Sequence, residues 1–332
     1  MEQINNQPEP RYWEKMRLVA DVLRASDAPV VIIAHEDPDG DAVGSTLGLA
    51  RALRQLGKEV WWIVEPPRFL RFLPRDDEYH EPIEKLPEDA ILVVLDSGDR
   101  HRAVGAPVEG FVINIDHHGS NSRFGQIHIV DPTKAAAAQM VKDLIDALEV
   151  EWTEEIATPV LTGLITDTGN FRFGNTTPEV LETAAELVGH GVKLAELTDR
   201  LQWRPPQYFK LMGMVLSTVQ FHFGGLAVSA HVTREMIEQT GGGEEDSDDF
   251  VGVIRYAEGS YVALFFKERE GATKISIRSR AGVSAQNIAV ELGGGGHVPA
   301  AGATLEGLSI EEAYPVVLAA VEKELRRAGL LS

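Results

Sequence analysis

Four stretches of this 332-residue chain carry side chains that could do metal chemistry. They are His35-Glu36-Asp37-Pro38-Asp39-Gly40-Asp41, the lone Asp96, Asp116-His117-His118, and Asp167. Singly, most have an ordinary explanation. An aspartate after a strand forms a turn or caps a helix, and Pro38 and Gly40 suit a turn. Three consecutive titratable groups at 116–118 are harder to assign to packing. Asp167 follows an apolar helical run, Ile156–Thr166, where an ionised carboxylate is costly unless paired or bound to a cation. The donors are carboxylate oxygens and imidazole nitrogens, and the chain has no cysteine. That set suits Mn2+ or Mg2+, and less well Fe2+, Co2+ or Zn2+. Two histidines and four or more acids exceed the needs of one ion. Two ions about 3.5–4 Å apart, sharing one carboxylate and one hydroxide, would use them all. Such a pair acidifies the shared water and clamps phosphoryl oxygens during in-line attack, so the chemistry implied is hydrolysis of a phosphate ester.

Elements that could gather these groups are legible around them. Ala28–Ala34, Lys58–Val64, Ala90–Leu95 and Gly110–Ile115 read as strands, and the first, third and fourth run directly into His35, Asp96 and Asp116. A helix is expected from Asp41 as N-cap to Gly57 as the glycine just past its end. Further helices are expected over Lys134–Leu148, Glu154–Thr166 and Pro178–Gly189. Strand–helix alternation predicts an α/β domain with a parallel sheet covered on both faces. In such sheets ligands bind beyond the carboxyl ends of the strands.

Composition shifts near residue 190. Val192–Leu201 and Pro205–Val219 look helical and are broken by Arg204-Pro205-Pro206, so residues 191–219 are expected to link domain 1–190 to domain 220–332. The second domain reads as α+β, with strands over His222–Ala230, Tyr261–Lys267 and Lys274–Arg280 and helices starting near Ser284 and Ser309. Gly241–Asp249 is expected to be a solvated, mobile loop. The glycines before His297 suggest a nest of inward-pointing amides for an anion, with Arg278 and His297 adding charge-assisted contacts to a phosphate.

The balance of 31 basic against 51 acidic residues, a net charge of −20, disfavours a grip on long nucleic acid, which needs many cationic contacts. Lack of cysteine removes disulfides, zinc-thiolate sites and thiol nucleophiles. No apolar run approaches the roughly 18 residues of a membrane span, and the start of the chain lacks a basic-then-apolar signal pattern, so a cytoplasmic location is expected.

As a set, HEDPDGDAVGS (35–45), Asp96, Asp116–His118 with Asn121 and Phe124-Gly125, and TDTGNFRFGNTT (166–177) resemble the successive motifs of the DHH phosphoesterases. ISIRSR (275–280) and GGGGHVPAAG (293–302) resemble that family's DHHA1 domain. The resemblance implies a parallel-sheet DHH domain joined by a helical linker to a smaller α+β DHHA1 domain. It implies that His35 and Asp39 hold one ion, that Asp41, His117 and Asp167 hold a second, and that Asp96 bridges both. His118 would contact the scissile phosphate and, with Asp96, carry catalysis, while Asp116 orients the histidines. Asn121, Arg278, Ser279, Gly294, Gly295, Gly296 and His297 would contact substrate. The sequence departs from the family at Lys134–Met140, KAAAAQM, where relatives show a Ser/Thr-rich segment with a glutamate, so no role is assigned to that segment or its Gln139.

The short members that the chain resembles hydrolyse oligoribonucleotides of a few residues (nanoRNA, pApA) to mononucleotides and 3′-phosphoadenosine 5′-phosphate (PAP) to AMP. The resemblance therefore implies attack by a hydroxide shared between two divalent ions, Mn2+ first with Mg2+ or Co2+ as alternatives, on short oligonucleotides and phosphorylated nucleotides, with a homodimer consistent with it. Hydrolysis of cyclic di-AMP is the alternative activity, and a nucleotide-binding regulator without catalysis the non-enzymatic one. The latter predicts lost metal ligands, whereas all six positions are filled.

Overall fold

Uninterrupted runs of Val, Ile and Leu, such as Ile91–Leu95, bury both sides of a strand, as the centre of a parallel sheet requires. The computed structural model describes residues 11–332, so most of the chain start read above for a signal pattern lies outside the described residues. Two compact units part between Trp203 and Arg204. In chain order the first holds α1 (Tyr12–Ala25), β1 (Val30–His35), α2 (Gly40–Gln55), β2 (Val60–Trp62), β3 (Ile91–Leu95), β4 (Ala103–Val104), β5 (Phe111–Asp116), β6 (Ile127–Val130), α3 (Ala137–Ala147), α4 (Glu154–Asp167), α5 (Pro178–Gly189) and α6 (Leu194–Gln202).

Its sheet runs β2-β1-β3-β5-β6, all parallel, with the two-residue β4 antiparallel to β1. Strand order reverses between β1 and β3, which lead into His35 and Asp96. Both sheet faces are covered, but differently. Val30, Ile32 and Ala34 face a core built with α1 to α6, whereas Val31 and Ile33 face Ile63, Ile83, Leu86 and Val108, which come from strand ends and loops. The expectation of a doubly covered sheet is met with helices contributing to one core only.

Two helices carry carboxylates of interest, and glycines set their spacing. A methyl at Gly44 on α2 would meet the Pro159 carbonyl oxygen of α4 at 2.3 Å, and one at Gly163 would meet Ala138 and Asp41. Pro159 lies inside α4 and offers no N–H to the Glu155 carbonyl. Arg51 Nη1 donates to that carbonyl at 2.7 Å instead.

The second unit holds α7 (Pro206–Leu216), β7 (Gln220–His222), β8 (Ala227–Val232), α8 (Arg234–Thr240), α9 (Phe250–Ile254), β9 (Val262–Arg269), β10 (Ala272–Ser279), α10 (Ala285–Glu291), β11 (Gly295–His297), β12 (Ala300–Glu306) and α11 (Ile310–Arg327). Its sheet order is β11-β12-β10-β9-β8-β7, antiparallel except for the parallel pair β8–β9. Ser284 and Ser309 cap α10 and α11.

Three expectations differ from what is seen. The segment 191–219 is shared between units: Leu197 and Leu201 of α6 join the first core, while Tyr208, Leu211 and Val215 of α7 pack in the second unit. The strand expected over His222–Ala230 is broken by Gly224 and Gly225, both with positive φ, into β7 and β8. Gly241–Asp249 is anchored: Asp246 and Ser247 are buried, and Lys267 Nζ donates to the Glu244 carbonyl and to Asp248. A buried lysine needs those acceptors, and composition alone does not show that the expected strand ending at Lys267 packs against this loop. Among the described residues no helix is long and apolar enough to cross a membrane.

Candidate metal centre

Strand ends and helix ends converge on one cluster. β1 ends at His35, whose Nε2 is 3.6 Å from Asp96 Oδ2 and 3.9 Å from Asp39 Oδ1. Asp96 follows β3 with φ +52, a left-handed conformation that aspartate tolerates better than most residues. His117, just past β5, places Nε2 at 3.3 Å from Asp167 Oδ2, 3.5 Å from Asp96 Oδ1 and 3.8 Å from Asp41 Oδ2. His35, Asp39 and Asp96 form one potential ligand group, and Asp41, His117 and Asp167 another. Asp96 also falls in a group with Asp116, His117 and His118.

Asp39, not Asp41, caps α2: its backbone is extended, and its Oδ1 accepts from the Asp41 and Ala42 amides. Asp41 thereby sits in the first turn, fully buried, and accepts from the Ala137 and Ala138 amides at the start of α3 at 2.5 and 2.8 Å. The alanine run of KAAAAQM is what permits this approach, since Ala138 packs directly against Gly163. Asn175 Nδ2 donates to the Asp167 and Ala135 carbonyls, tying the end of α4 to the same segment.

The electrostatics are those of crowded anions. Burial raises Asp41 well above the usual carboxylate range, and the charges of Asp96 and Asp167 add to it. Burial lifts Asp167 to about 7, with Asp96 and Asp39 adding to it against the pull of His117. Burial opposes ionisation of Asp96, yet the imidazoles of His117 and His35 hold it below the usual range. Burial likewise disfavours charged His117 and His35, but adjacent carboxylates outweigh it and push them up to about 10 and about 9. Asp96 Oδ1 is buried with no hydrogen-bond partner. Buried Asp41 and Asp96 beside half-buried Asp167, with one orphaned oxygen, call for cations, and hard oxygen donors with imidazole nitrogens fit divalent ions of the Mn2+ and Mg2+ class.

His118 lies 3.6 Å from Asp96 through Nδ1, which is bonded to Asp116 Oδ1 at 2.7 Å. Asn121 does not face outward as a substrate contact. It is buried, its Nδ2 bonds Asp116 Oδ2 at 2.7 Å and Asn114 Oδ1 at 2.9 Å, and its Oδ1 accepts from the Arg123 amide. Asn114, within an apolar strand, escaped the sequence reading, and only an asparagine amid Val and Ile could have flagged it.

In the second unit, Arg278, Ala300 and His297 are paired across β10, β12 and β11, so their side chains share one sheet face. His297 is exposed, and Arg278 forms no ion pair among the described residues. Ser279 points elsewhere: its hydroxyl bonds the Val283 and Val298 carbonyls and accepts from the Ala285 amide. The glycine run builds no nest. The Gly293 and Gly294 amides bond the Val290 and Ala289 carbonyls at the end of α10, and Gly295 and Gly296 pair with β12. A methyl at Gly294 or Gly296 would strike β12 backbone within 3 Å, so these glycines serve close strand packing.

The model of the DHH family, N-terminal domain, matches residues 29–164, and that of the DHHA1 domain matches residues 226–327. The chain is 70% identical over 326 residues, 98% of its length and 99% of the relative's, to a bifunctional oligoribonuclease and PAP phosphatase of Thermus thermophilus. It is 28% identical to a Bacillus subtilis protein of the same description, covering 83% of this chain and 89% of that one. An exopolyphosphatase-related protein from Bacteroides fragilis superposes with a TM-score of 0.84 at 25% identity, covering 95% of this chain and 97% of that one. The chain belongs to the DHH family and carries a DHHA1 domain in its second half.

Proposed function

We propose that this chain is a phosphoesterase dependent on two divalent ions, Mn2+ first, that hydrolyses short oligoribonucleotides to mononucleotides and PAP to AMP. The observation that carries this reading is the convergence of His35, Asp39, Asp41, Asp96, His117 and Asp167 around an unpartnered, buried Asp96 oxygen. His35 and Asp39 are assigned to one ion, Asp41, His117 and Asp167 to the other, and Asp96 to both. Bound there, the ions would supply a water acidic enough to attack at neutral pH and would neutralise charge on the phosphoryl oxygens.

The chain's own residues do the rest. His118 Nδ1–H donates to Asp116, so Nε2 is the ring nitrogen left to face a phosphoryl oxygen. With the ring protonated, which the Asp116 bond favours, Nε2–H donates to that oxygen and passes its proton to the leaving oxygen, leaving His118 neutral with its hydrogen on Nδ1. Arg278 and His297 are assigned to a substrate phosphate, local cations that offset the net charge of −20. That charge favours short substrates over long polyanions. The name carried by the Thermus relative, at 70% identity, supports the same substrate pair.

Hydrolysis of bis-p-nitrophenyl phosphate with Mn2+ and with chelator tests the chemistry, and pApA, a 5-mer RNA, PAP and cyclic di-AMP at matched concentration test the substrate. Metal-dependent turnover with pApA, RNA and PAP ahead of cyclic di-AMP is expected. Fastest turnover of cyclic di-AMP would overturn the substrate assignment. Nucleotide binding without any turnover would make the chain a regulator.

A further inference from the structure

We propose that Asn114 and Asn121 are positioning residues for His118: they lock the Asp116 carboxylate so that His118 keeps its proton on Nδ1 and presents Nε2. What His118 then does rests on the phosphoesterase reading above; how it is oriented does not.

The argument is one of hydrogen-bond accounting. Asn114 is wholly buried on β5 between Ile113 and Ile115, where an unsatisfied amide would be heavily penalised. Its Nδ2 donates to the Val94 and Ser97 carbonyls, both at 3.3 Å, which forces Oδ1 toward Asn121. Asn121 Oδ1 takes the Arg123 amide at 2.6 Å, so its own orientation is fixed with Nδ2 inward. That Nδ2 meets Asp116 Oδ2 at 2.7 Å, Asn114 Oδ1 at 2.9 Å and the Ser97 carbonyl at 3.1 Å. An amide has only two hydrogens, so the longest of the three is shared. Asp116, itself fully buried, then has Oδ2 committed to Asn121 and Oδ1 to His118 Nδ1.

The bonds link the Val94 and Ser97 carbonyls to the histidine: Asn114 donates to the carbonyls, Asn121 donates to both Asn114 and Asp116, and Asp116 accepts from Asn121 and His118. Reversing either amide would set donor against donor or acceptor against acceptor. Each Asp116 oxygen thus has its own partner, and the pair of bonds fixes the carboxylate plane toward His118. A carboxylate behind an active-site histidine fixes tautomer and ring plane. Here the carboxylate is in turn fixed by the Asn121 amide, which Asn114 holds in place.

Asn121→Ser and Asn114→Ser, with Asn121→Asp as the variant closest in shape, are to be compared with the parent. Long-range 1H–15N spectra of 15N-histidine-labelled, Mg2+-loaded protein read the His118 ring nitrogens, identified by their loss in His118→Gln. The parent should show a protonated Nδ1 and a distinct Nε2, and the variants a shift toward mixed protonation. kcat should fall on the order of 10–100-fold, with KM and Mn2+ affinity within about twofold, because neither substrate nor ion is touched. Unchanged His118 nitrogens in variants that melt like the parent would overturn the proposal. So would a raised KM with kcat preserved, which would make Asn121 a substrate contact. A parent without turnover on any substrate would sink the phosphoesterase reading, while the spectra would still decide the orientation.

Discussion

Gly44→Ala is the perturbation whose consequence is best fixed by geometry. The added methyl would sit 2.3 Å from the Pro159 carbonyl oxygen and 2.7 Å from the Gly163 amide nitrogen, both backbone atoms of α4. Ordinary contact begins near 3.4 Å, so α2 and α4 must part by roughly 1 Å. No flexible side chain can absorb the clash. Overpacking of this kind costs about 1–3 kcal/mol, and the better helix propensity of alanine returns at most about 1 kcal/mol. A net loss of about 1–2 kcal/mol lowers the melting temperature of a unit this size by roughly 2–8 °C. The functional consequence is sharper, because α2 carries Asp41 and α4 carries Asp167. Parting the helices should weaken Mn2+ binding at least ~10-fold, about 1.4 kcal/mol. Gly213→Ala is the control: it is also a helix glycine, but exposed with nothing within 4 Å, so alanine there should stabilise by about 0.5–1 kcal/mol. Scanning calorimetry with and without chelator, together with titration calorimetry of Mn2+, reads both effects. If Gly44→Ala melts with the parent and binds Mn2+ as tightly, glycine contact does not set the spacing of the two ligands.

Asp96→Asn keeps shape and tolerates the left-handed backbone at φ +52, so it isolates the carboxylate; hydrolysis should fall by at least ~10³-fold, on the scale of the several kcal/mol metal catalysis supplies, and Mn2+ stoichiometry should drop. Wild-type kcat would exclude a shared ligand there. Since His35 and His117 are held protonated to about 9 and about 10, Mn2+ binding at pH 7.5 should release about two protons, and affinity should rise with pH until those groups lose their protons. Titration in buffers of different ionisation enthalpy counts them, and no release would contradict the assignment. Glu324, drawn down to about 2 by Arg327 and also bonded to the Ser284 amide and Asn287, contributes stability that is full above its ordinary 4.5 and lost as pH falls through about 2. Acid unfolding of Glu324→Gln should show a flatter dependence between those values, and identical profiles would deny the bond its weight. His297→Ala should raise KM several-fold with kcat little changed, and an unchanged KM would remove it from binding.

What was legible in the first half is the part written in strand ends. An apolar run that stops at His35, Asp96 or Asp116 announces both a buried strand and a polar group at its carboxyl end, and the register of β1, β3 and β5 gathers those ends. Asp41 and Asp167 were readable as residues but not in position, because their separation depends on how closely two helices approach. That approach is governed by Gly44, Gly48 and Gly163 meeting atoms roughly 110–120 residues away in sequence. Asn121 was misread for a related reason. A polar residue near a site looks like a contact until its partners are seen, and Asn114 and Asp116 consume its donors.

The glycine run before His297 makes the same point more strongly. A cluster of glycines licenses any close backbone approach, and sequence does not say to what. An anion nest and a tight strand pair demand the same composition. Here Gly293 has φ +80 and closes α10, Gly294 and Gly296 lie against β12, and Gly295 faces open space without needing a positive φ. The effect on chemistry is indirect. Pairing β11 to β12 in this register puts His297 beside Ala300 and, one strand further, Arg278. A methyl at Gly296 would meet Ala301 at 2.6 Å and push β11 outward. Gly296→Ala should therefore raise KM as His297→Ala does while also lowering the melting temperature. A nest would instead make Gly295→Ala the more damaging change, and measuring both variants decides between the two uses of the same four residues.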